Sequence, residues 1–410
     1  MLAAMSEALA LFATTAKGME KLLAAELQVL GALAVDTQRS GVSFRGSLEV
    51  AYRVCLWSRL ANRVLLSLAT FPAPTPQALY DRVHTIRWLD HLDARRTLAV
   101  DCATSHAAIA HSHYAALKTK DAIVDQLRTQ TGARPSIDPV HPDVRVNVYL
   151  HEDRAVISID LSGESLHRRA YRQRGLDAPL KENLAAGVLL LADWPRLARS
   201  GAPLIDPMCG SGTLPIEAAL MAARIAPGRN RTAYGFVGWR GHQPALWAGV
   251  CREAEEQEIR DPKQLAPIHG YDASAAAVRT ALANVEQAGL RGRVHIEKRS
   301  LRQCVPIAGR GQGEMPGIVV TNPPYGKRLG NEAQLGELYA TIGDTLRRQF
   351  MGWTAYVLSG NRNLGKRVGL RPARFHILYN GAIECRLLVF PISSAPVIGA
   401  GGPGWRRESG

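Results

Sequence analysis

The sequence predicts a mixed α/β protein of several domains, in which a doubly wound α/β sheet follows an α+β region. Three observations support this fold class. The chain has 410 residues, whereas an ordinary domain has roughly 150. The first seventy residues follow a ferredoxin-like order of strands and helices. From residue 176 onward, helices alternate with short apolar strands.

The composition is that of a globular protein with a basic charge. Hydrophobic residues make up 46% of the chain and charged residues 21%, which excludes a disordered or fibrous protein. The net charge of +14 favours a nucleic-acid partner, because clustered Lys and Arg release counterions condensed on phosphates; a general basic bias is the alternative. No membrane-length apolar run and no C-x-x-C pair occur. We therefore expect a cytoplasmic protein without a membrane role, disulfide framework or zinc site, and either monomeric or weakly oligomeric.

Residues 1–72 are predicted to form a ferredoxin-like domain. The expected order is β-α-β-β-α-β, with strands at 11–15, 33–35, 42–44 and 63–71 and helices at 16–31 and 49–59. Residues 71–76 (FPAPTP) contain three prolines, so we expect neither a strand nor a helix to continue there. A domain boundary is placed at this point.

Residues 73–165 are predicted to form a second α+β domain. A helix, a strand, a helix and a hairpin are expected at 78–92, 97–104, 114–130 and 144–161. The period-two alternation of VRVNVYL and AVISIDL indicates that the hairpin is buried on one face only.

Residues 166–180 are predicted to be a basic linker. Arg168, Arg169, Arg172 and Arg174 surround Tyr171 in LHRRAYRQRG. Such a group can bind phosphates while the aromatic ring stacks on a base, which predicts RNA binding. The alternative is a solvated linker with no partner.

Residues 181–392 are predicted to form the doubly wound sheet. Its helices are expected at 181–194, 213–225, 274–289 and 332–350, and its strands at 203–207, 267–273, 293–298, 317–324, 353–360, 373–380 and 383–390. Residues 227–266, which contain four aromatic side chains, are an insertion in this order. The Gly- and Pro-rich tail, 393–410, is predicted to be disordered.

A glycine-containing loop, DPMCGSGT, follows the first strand of this sheet and predicts a cofactor site. Ligands of open α/β sheets bind beyond the carboxyl ends of strands, and Gly210 and Gly212 allow the backbone to approach them closely. Pro215 replaces the third glycine of a dinucleotide-binding turn and no G-K-[ST] follows, which disfavours NAD and ATP. An acid before the loop suits a cofactor with a cationic amino group and a sulfonium; a purely structural turn is the alternative. The candidate cofactor-binding residues are Asp206, Met208, Cys209, Gly210, Ser211, Gly212 and Thr213.

Asp272 ends the second predicted strand of the sheet, in HGYDAS. A carboxylate there can accept hydrogen bonds from both ribose hydroxyls of a nucleoside. Asp272 is also a candidate N-cap of the following helix, and the two roles are compatible.

The segment TNPPYGKRLG, which follows the apolar strand GIVV, is the most specific signal in the chain. Two successive prolines remove two backbone donors and stiffen the turn. The Asn322 side-chain oxygen and the Pro323 carbonyl can accept the two hydrogens of an exocyclic base amine and direct its lone pair at a methyl group. Tyr325 can stack on the flipped base. We therefore predict a catalytic role for Asn322, Pro323, Pro324 and Tyr325. His111 and His113 have no third ligand at useful spacing, so no metal is expected.

Together these segments resemble the THUMP-containing class I methyltransferases, most closely the N-terminal half of the bacterial large-subunit rRNA guanine-N2 methyltransferases. The resemblance extends over about residues 11–390 and rests on LFATTAKGMEKLL, KTKDAIVD, DVRVNVYLH, IDLSGESLHRRAYR, APLKENLAA, DPMCGSGTLPIEAA and TNPPYGKRL. It implies a Rossmann-like methyltransferase domain after ferredoxin-like and THUMP domains.

The resemblance also implies partners and further site residues. S-adenosylmethionine would bind at the glycine loop and Asp272, with Lys181 and Asn183 nearby. RNA would be captured by residues 50–161, including Lys118 and Lys120. Ser300 stands where the family has an acid for the adenine amine, which puts that contact in doubt. Larger members add a second methyltransferase half, and we expect only one activity from this chain.

The expected function is methylation of guanine N2 in 23S rRNA. Three alternatives remain open: the same reaction on tRNA, N6-adenine methylation of DNA, and a non-catalytic RNA-binding factor for ribosome assembly. The DNA enzyme should have a separate duplex-reading region, and none is visible in the sequence.

Overall fold

The structure of the chain is a computed structural model that describes residues 8–172, 180–310, 315–325 and 332–393. Its described residues divide into two compact units. Unit 1 comprises residues 8–15, 23–166 and 231–253, and unit 2 comprises the described residues among 16–22, 167–230 and 254–393.

The first part of the chain forms twelve helices and strands of ordinary length. They are β1 (Leu9–Thr14), α1 (Glu20–Val29), β2 (Leu33–Gln38), β3 (Gly41–Gly46), α2 (Leu48–Trp57), β4 (Arg63–Pro72), α3 (Pro76–His84), β5 (Thr97–Ser105), α4 (Ser112–Thr131), β6 (Ser136–Ile137), β7 (Val144–His151) and β8 (Arg154–Asp160). The strands form one sheet in the order β2-β3-β1-β4-β8-β7-β5-β6. The two predicted α+β regions thus share a sheet, because β4 pairs with β8 in antiparallel fashion.

The proline-rich boundary is shorter than predicted. Strand β4 continues through Pro72, which pairs with Arg154 at the end of the ladder, so the expectation that residues 71–76 interrupt both kinds of structure was wrong. A strand end tolerates proline because no further ladder donor is required there. Helix α3 then begins at Pro76, where proline is favoured, and the Thr75 side chain caps it by accepting from the Ala78 N–H.

Residues 231–253, which belong to the predicted insertion, are part of unit 1. Phe236 is fully buried, and its ring centroid lies 4.6 Å from that of Tyr52 in α2 and 5.0 Å from that of Trp247. The Tyr52 hydroxyl contacts His242 Nδ1 at 2.7 Å and accepts from the Gln243 N–H at 2.9 Å. The aromatic side chains of the insertion therefore form part of the core of unit 1.

The second part of the chain forms the remaining helices and strands. They are α5 (Glu182–Leu191), α6 (Trp194–Ser200), β9 (Leu204–Asp206), α7 (Thr213–Ala222), α8 (Pro244–Glu256), β10 (Ile268–Asp272), α9 (Ala275–Gln287), β11 (His295–Lys298), β12 (Ile318–Thr321), α10 (Glu332–Gln349), β13 (Thr354–Ser359), α11 (Arg362–Arg367), β14 (Arg374–Asn380) and β15 (Ile383–Pro391). The sheet order is β11-β10-β9-β12-β13-β15-β14. Strands β9 to β13 pair with one another in parallel, and β15 and β14 add an antiparallel hairpin at the edge beyond β13. The predicted doubly wound sheet is confirmed.

Two predicted helices were too long. The predicted helix 181–194 is divided into α5 and α6, because Asp193 between them adopts a left-handed conformation with φ of +54°. The predicted helix 78–92 ends at His84 and is followed by a 3₁₀ turn at Trp88–Asp90. Within the part of the chain that the structure describes, no helix has both the length and the apolar character needed to cross a bilayer.

We expect Phe236→Ala to destabilise unit 1 although Phe236 lies far along the chain from β1–β8. Removing a fully buried phenylalanine costs about 3–5 kcal/mol, whereas Val237→Ala, at a half-exposed neighbour, should cost under about 0.5 kcal/mol. Denaturant unfolding with amide hydrogen exchange would measure this. Loss of protection confined to α9 and α10, with α2 and β8 unaffected, would contradict the assignment of the insertion to unit 1.

Candidate active site

The candidate site is formed where three neighbouring parallel strands of unit 2 end. Strand β9 lies between β10 and β12, with Gly270 paired with Asp206 and Val319 with Ile205. Parallel strands have their carboxyl ends at the same edge of a sheet, so the segments that follow β9, β10 and β12 are neighbours. The glycine loop, Asp272 and the Asn-Pro-Pro-Tyr segment are therefore brought to one edge.

The glycine loop is held in a defined shape by backbone hydrogen bonds. The Cys209 N–H donates to the Tyr271 carbonyl at 2.8 Å, and the Gly212 N–H donates to the Cys209 carbonyl at 2.8 Å. Gly210 and Gly212 have φ of +54° and +82°, which other residues adopt only with strain. A side chain on Gly210 would point into open space, so the backbone here is accessible to a ligand. The loop leads into α7, whose first turn offers N–H donors.

Asp272 joins the loop to the next strand. Its Oδ2 accepts from the Gly210 N–H at 3.0 Å, and its Oδ1 accepts from the Ser274 N–H at 2.9 Å. Each carboxylate oxygen keeps further acceptor capacity, which a pair of ribose hydroxyls could use. Asp272 is not the N-cap of the following helix, the other role considered for it. Ser274, whose side chain accepts from the Ala277 N–H, is the N-cap of α9.

Asp206 is buried at the end of β9. Burial raises the pKa of its carboxyl to about 7, and the nearby Asp272 charge adds to the increase, while the Met208 N–H, which donates to Oδ1 at 3.1 Å, opposes it. A neighbouring cation would stabilise the ionised form of this buried carboxyl. The amino group of an amino-acid cofactor is such a cation, so Asp206 fits the binding of S-adenosylmethionine.

The Asn-Pro-Pro-Tyr segment begins directly after the buried end of β12. Asn322 Oδ1 is buried and has no hydrogen-bond partner among the described residues. A buried acceptor without a donor costs about 1–3 kcal/mol, so an amine hydrogen supplied by a substrate would stabilise it. Pro323 is buried beside it, and residues 326–330, the GKRLG part of the motif, lie outside the described residues.

Tyr325 is partly buried and held by its hydroxyl. Asn380 Nδ2 donates to this hydroxyl at 2.9 Å, and Cys385 Sγ lies 3.6 Å from it. A side chain on Gly360 would come within 2.5 Å of the Tyr325 ring, so the ring packs against the backbone after β13. Stacking of Tyr325 on a base remains a prediction, and it would have to use the part of the ring that Gly360 does not cover.

The other three predicted cofactor residues lie after β11 and at the start of α5. Ser300 follows β11, and its hydroxyl donates to Gln303 Oε1 at 2.8 Å, which leaves its lone pairs to accept from an adenine amine. Lys181 is the exposed residue before α5, and Asn183 is buried in the first turn of that helix. Their contacts with a cofactor remain predictions.

Two arginines of the predicted basic cluster, Arg169 and Arg172, contact carboxylates within unit 2. Arg169 is 2% exposed and its Nε lies 3.6 Å from the buried Glu217, to which the buried Tyr171 hydroxyl also donates at 3.2 Å. Arg172 donates to Glu182 Oε1 at 2.9 Å, to the Leu180 carbonyl at 2.8 Å and to Thr213 Oγ1 at 3.1 Å. The prediction that Arg169 and Tyr171 contact RNA was wrong, because both side chains are buried against Glu217 within unit 2. Contact of Arg172, whose side chain is 19% exposed, with RNA remains a prediction.

The other predicted RNA contacts stay predictions. Arg168 is exposed, whereas Arg174 lies outside the described residues. Lys118 Nζ lies 5.9 Å from the centre of the Tyr114 ring, and Lys120 pairs with Asp121 at 2.7 Å. The described residues contain no group of three metal-ligating side chains.

Two functional positions were missed from the sequence. The buried Asn284 of α9 donates to the Ser211 carbonyl at 2.9 Å and thereby orients the glycine loop. Asn380 of β14 holds the Tyr325 hydroxyl. Neither had a local signal, because each acts on a segment more than fifty residues away in sequence.

Comparison with known families assigns three successive regions. Residues 10–65 match the RlmL ferredoxin-like domain, residues 73–160 the THUMP domain, and residues 169–388 the RMKL-like methyltransferase domain. The predicted ferredoxin-like, THUMP and methyltransferase regions are thereby confirmed, while their predicted boundaries remain predictions.

Relatives and solved structures agree with these matches. The chain is 52% identical over 382 residues to the ribosomal RNA large subunit methyltransferase K/L of Methylococcus capsulatus and 50% identical over 394 residues to that of Syntrophotalea carbinolica. These alignments cover 93% and 96% of this chain but 51% and 55% of the relatives. The crystal structure of SMU.472 complexed with SAH has a TM-score of 0.83 and 29% identity, covering 96% of this chain and all of that one.

We expect Arg172→Ala to weaken cofactor binding and stability together. Loss of hydrogen bonds from a charged, mostly buried donor should cost about 2–3 kcal/mol and release Thr213 at the end of the glycine loop. Thermal unfolding and calorimetry with S-adenosylhomocysteine would measure both effects. Arg168→Ala, at an exposed position of the same segment, is the control and should keep both values; equal effects of the two substitutions would contradict the structural role of Arg172.

We expect the affinity for S-adenosylhomocysteine to fall as the pH is lowered through about 7. Below that pH Asp206 is protonated, and binding a cationic amino group then requires loss of its proton, which weakens binding by up to roughly tenfold per pH unit. Calorimetry from pH 8 to pH 6 would measure the dissociation constant. Asp206→Asn should bind more weakly at pH 8 and show a flatter profile; an unchanged profile would mean that another group is responsible.

Proposed function

Because the chain belongs to the family defined by the RMKL-like methyltransferase domain, we propose that it transfers a methyl group from S-adenosylmethionine to the N2 amine of a guanine in 23S rRNA. The relatives named ribosomal RNA large subunit methyltransferase K/L support ribosomal RNA as the substrate. The chain spans about half the length of these relatives. The proposal therefore concerns the reaction of the described methyltransferase domain.

The buried Oδ1 of Asn322, which has no hydrogen-bond partner in the part of the chain that the structure describes, is the observation that most directly supports methylation of an amine. It lies at the end of β12, next to the strand that leads into the glycine loop. An exocyclic amine has two hydrogens and a lone pair delocalised into the base ring. An acceptor at this position would bind one hydrogen and hold the nitrogen toward the cofactor loop.

The remaining residues of the Asn-Pro-Pro-Tyr segment (322–325), called the Asn-Pro-Pro-Tyr corner below, would complete the orientation of the amine. The Pro323 carbonyl would accept the second hydrogen, and the two prolines keep this acceptor in place because their φ angles are restricted. When bound, S-adenosylmethionine supplies an electrophilic methyl group on a sulfonium. The amine nitrogen would form the new bond to the methyl carbon while the sulfonium S–C bond breaks and leaves a neutral thioether, and the surplus proton on nitrogen would pass to solvent. No strong base is needed before transfer, because the neutral amine is the nucleophile.

RNA would reach this site through contacts outside the corner. The family match of residues 73–160 to a THUMP domain supports a role for unit 1 in RNA capture. The exposed Arg168, the partly exposed Arg172 and the α4 residues Lys118 and Lys120 are candidate phosphate contacts in the described part of the chain, and Arg174 remains a candidate outside it. Such contacts position an RNA but do not select the base.

We expect 23S rRNA from a strain without this gene to lack one N2-methylguanosine, and complementation to restore it. Asn322→Ala should fail to complement and should lower methylation of 23S fragments in vitro by about 100-fold or more, because the amine is no longer oriented. Asn322→Asp, which keeps an acceptor oxygen, should retain part of the activity. Nucleoside mass spectrometry and transfer of labelled methyl groups would measure these effects.

Binding measurements complete this test. Asn322→Ala should leave the affinities for S-adenosylhomocysteine and for RNA within about twofold of wild type, because Asn322 is not a predicted cofactor contact and because phosphate contacts, not one base contact, supply most of the RNA affinity. N2-methylguanosine unchanged in 23S rRNA but lost from tRNA would transfer the proposal to tRNA. A wild-type protein that binds RNA but gives no heat with S-adenosylhomocysteine would favour a non-catalytic assembly factor.

A further inference from the structure

A cavity outside the candidate active site lies in unit 2 at the carboxyl end of β13. Its volume is about 410 Å³, within the range of about 300–1,000 Å³ that small-molecule sites occupy. Ser359 and Asn361 form one wall, and Phe375 and Leu388 of the edge hairpin provide apolar surface. None of the residues that line it was predicted as a site residue from the sequence.

The lining of this cavity is basic. Among its described lining residues, Arg362, Lys366 and Arg386 are cations and none is a carboxylate. The Arg386 guanidinium lies over the Phe375 ring at 4.4 Å, which fixes the orientation of a planar cation. Lys366 is exposed, and Arg362 forms an ion pair with Glu384 at 2.8 Å in which both side chains remain accessible. The cavity therefore has the charge expected of an anion site.

The cavity adjoins the Asn-Pro-Pro-Tyr corner. Strands β12 and β13 are parallel neighbours, with Thr321 paired with Val357. Gly360, against which the Tyr325 ring packs, lies between the cavity residues Ser359 and Asn361. The cavity therefore lies beside the segment that would hold the base, so a nucleotide that flanks this base in the RNA would lie near the cavity.

We propose that this cavity binds the nucleotide next to the methylated base, with its phosphate held by Lys366 and Arg362. The proposal rests on the proposed function, since it supplies the site with the RNA that the corner would methylate. A base that leaves its stack must have its flanking backbone fixed, or the amine cannot be aligned. The cavity has the volume, the phosphate-binding cations and the amide and hydroxyl groups of Asn361 and Ser359 that such a nucleotide requires.

The test is a salt series of RNA binding with single substitutions. Lys366→Gln should weaken binding of a 23S rRNA fragment roughly five- to tenfold near 0.1 M salt and lower the slope of log K against log salt by about one. Arg362→Gln should have a smaller effect in the same direction, because Glu384 already compensates part of its charge. In methylation assays both should raise KM for RNA and lower kcat, because the amine is less well aligned, and both should leave the affinity for S-adenosylhomocysteine unchanged.

Arg291→Gln is the matched control. Arg291 is 90% exposed, lies in unit 2 and contacts only Glu286, at 4.0 Å, among the ion pairs of the described residues. The Arg291→Gln substitution removes one positive charge, as Lys366→Gln does. It should change the salt slope and the RNA affinity far less than Lys366→Gln. Equal effects of the two substitutions would attribute the change to net charge and overturn the proposal.

Two other results would also overturn it. The first is an unchanged salt slope and RNA KM for Lys366→Gln. The second is that Lys366→Gln leaves RNA binding unchanged but abolishes binding of free guanosine monophosphate, which would assign the cavity to a free nucleotide. Because RNA binding is measured without methyl transfer, failure of the proposed reaction is distinguishable: wild type would then bind RNA with the expected Lys366 effect and methylate no guanine.

Discussion

Parallel pairing of β10, β9 and β12 is the constraint on which the candidate site depends. Because β9 lies between the other two strands, the loop after each of them reaches the same edge of the sheet. Asp272 then bonds to the Gly210 N–H, so that the second strand determines the shape of the loop that follows the first. A strand inserted between β9 and β12 would leave every site residue intact in sequence and separate the cofactor loop from Asn322.

Buried polar groups distinguish the site from its supports. Arg169, Arg172 and Glu217 each form an ion pair or a hydrogen bond within unit 2, and these contacts connect residues 169–172 to α5 and α7. Asn322 Oδ1 is buried at the end of β12 with no partner among the described residues. The first arrangement stabilises the fold, whereas the second leaves an acceptor for a ligand.

Unit 1 illustrates how sequence order and spatial order can differ. Residues 231–253 follow α7 in the chain, yet Phe236 and Trp247 pack against Tyr52 of α2. Their aromatic content was visible in the sequence, but the surface that they cover was not. The pairing of β4 with β8 similarly joins the ferredoxin-like and THUMP regions into one sheet. Long-range pairings of this kind have no local signal, because they depend on which apolar faces remain to be covered.

The sequence by itself determined the alternation of helices and strands, the doubly wound sheet, the glycine loop and the Asn-Pro-Pro-Tyr corner, because periodicity, glycine and proline act locally. Only the tertiary structure decided which charged side chains are accessible to a ligand. Arg168 and Arg169 are adjacent and chemically alike, yet one is exposed and the other is buried beside Glu217. The tertiary structure also brought Lys366 and Ser359 into one cavity beside Tyr325. Burial and the meeting of distant segments depend on how elements pack, and packing is a property of the whole fold rather than of any segment.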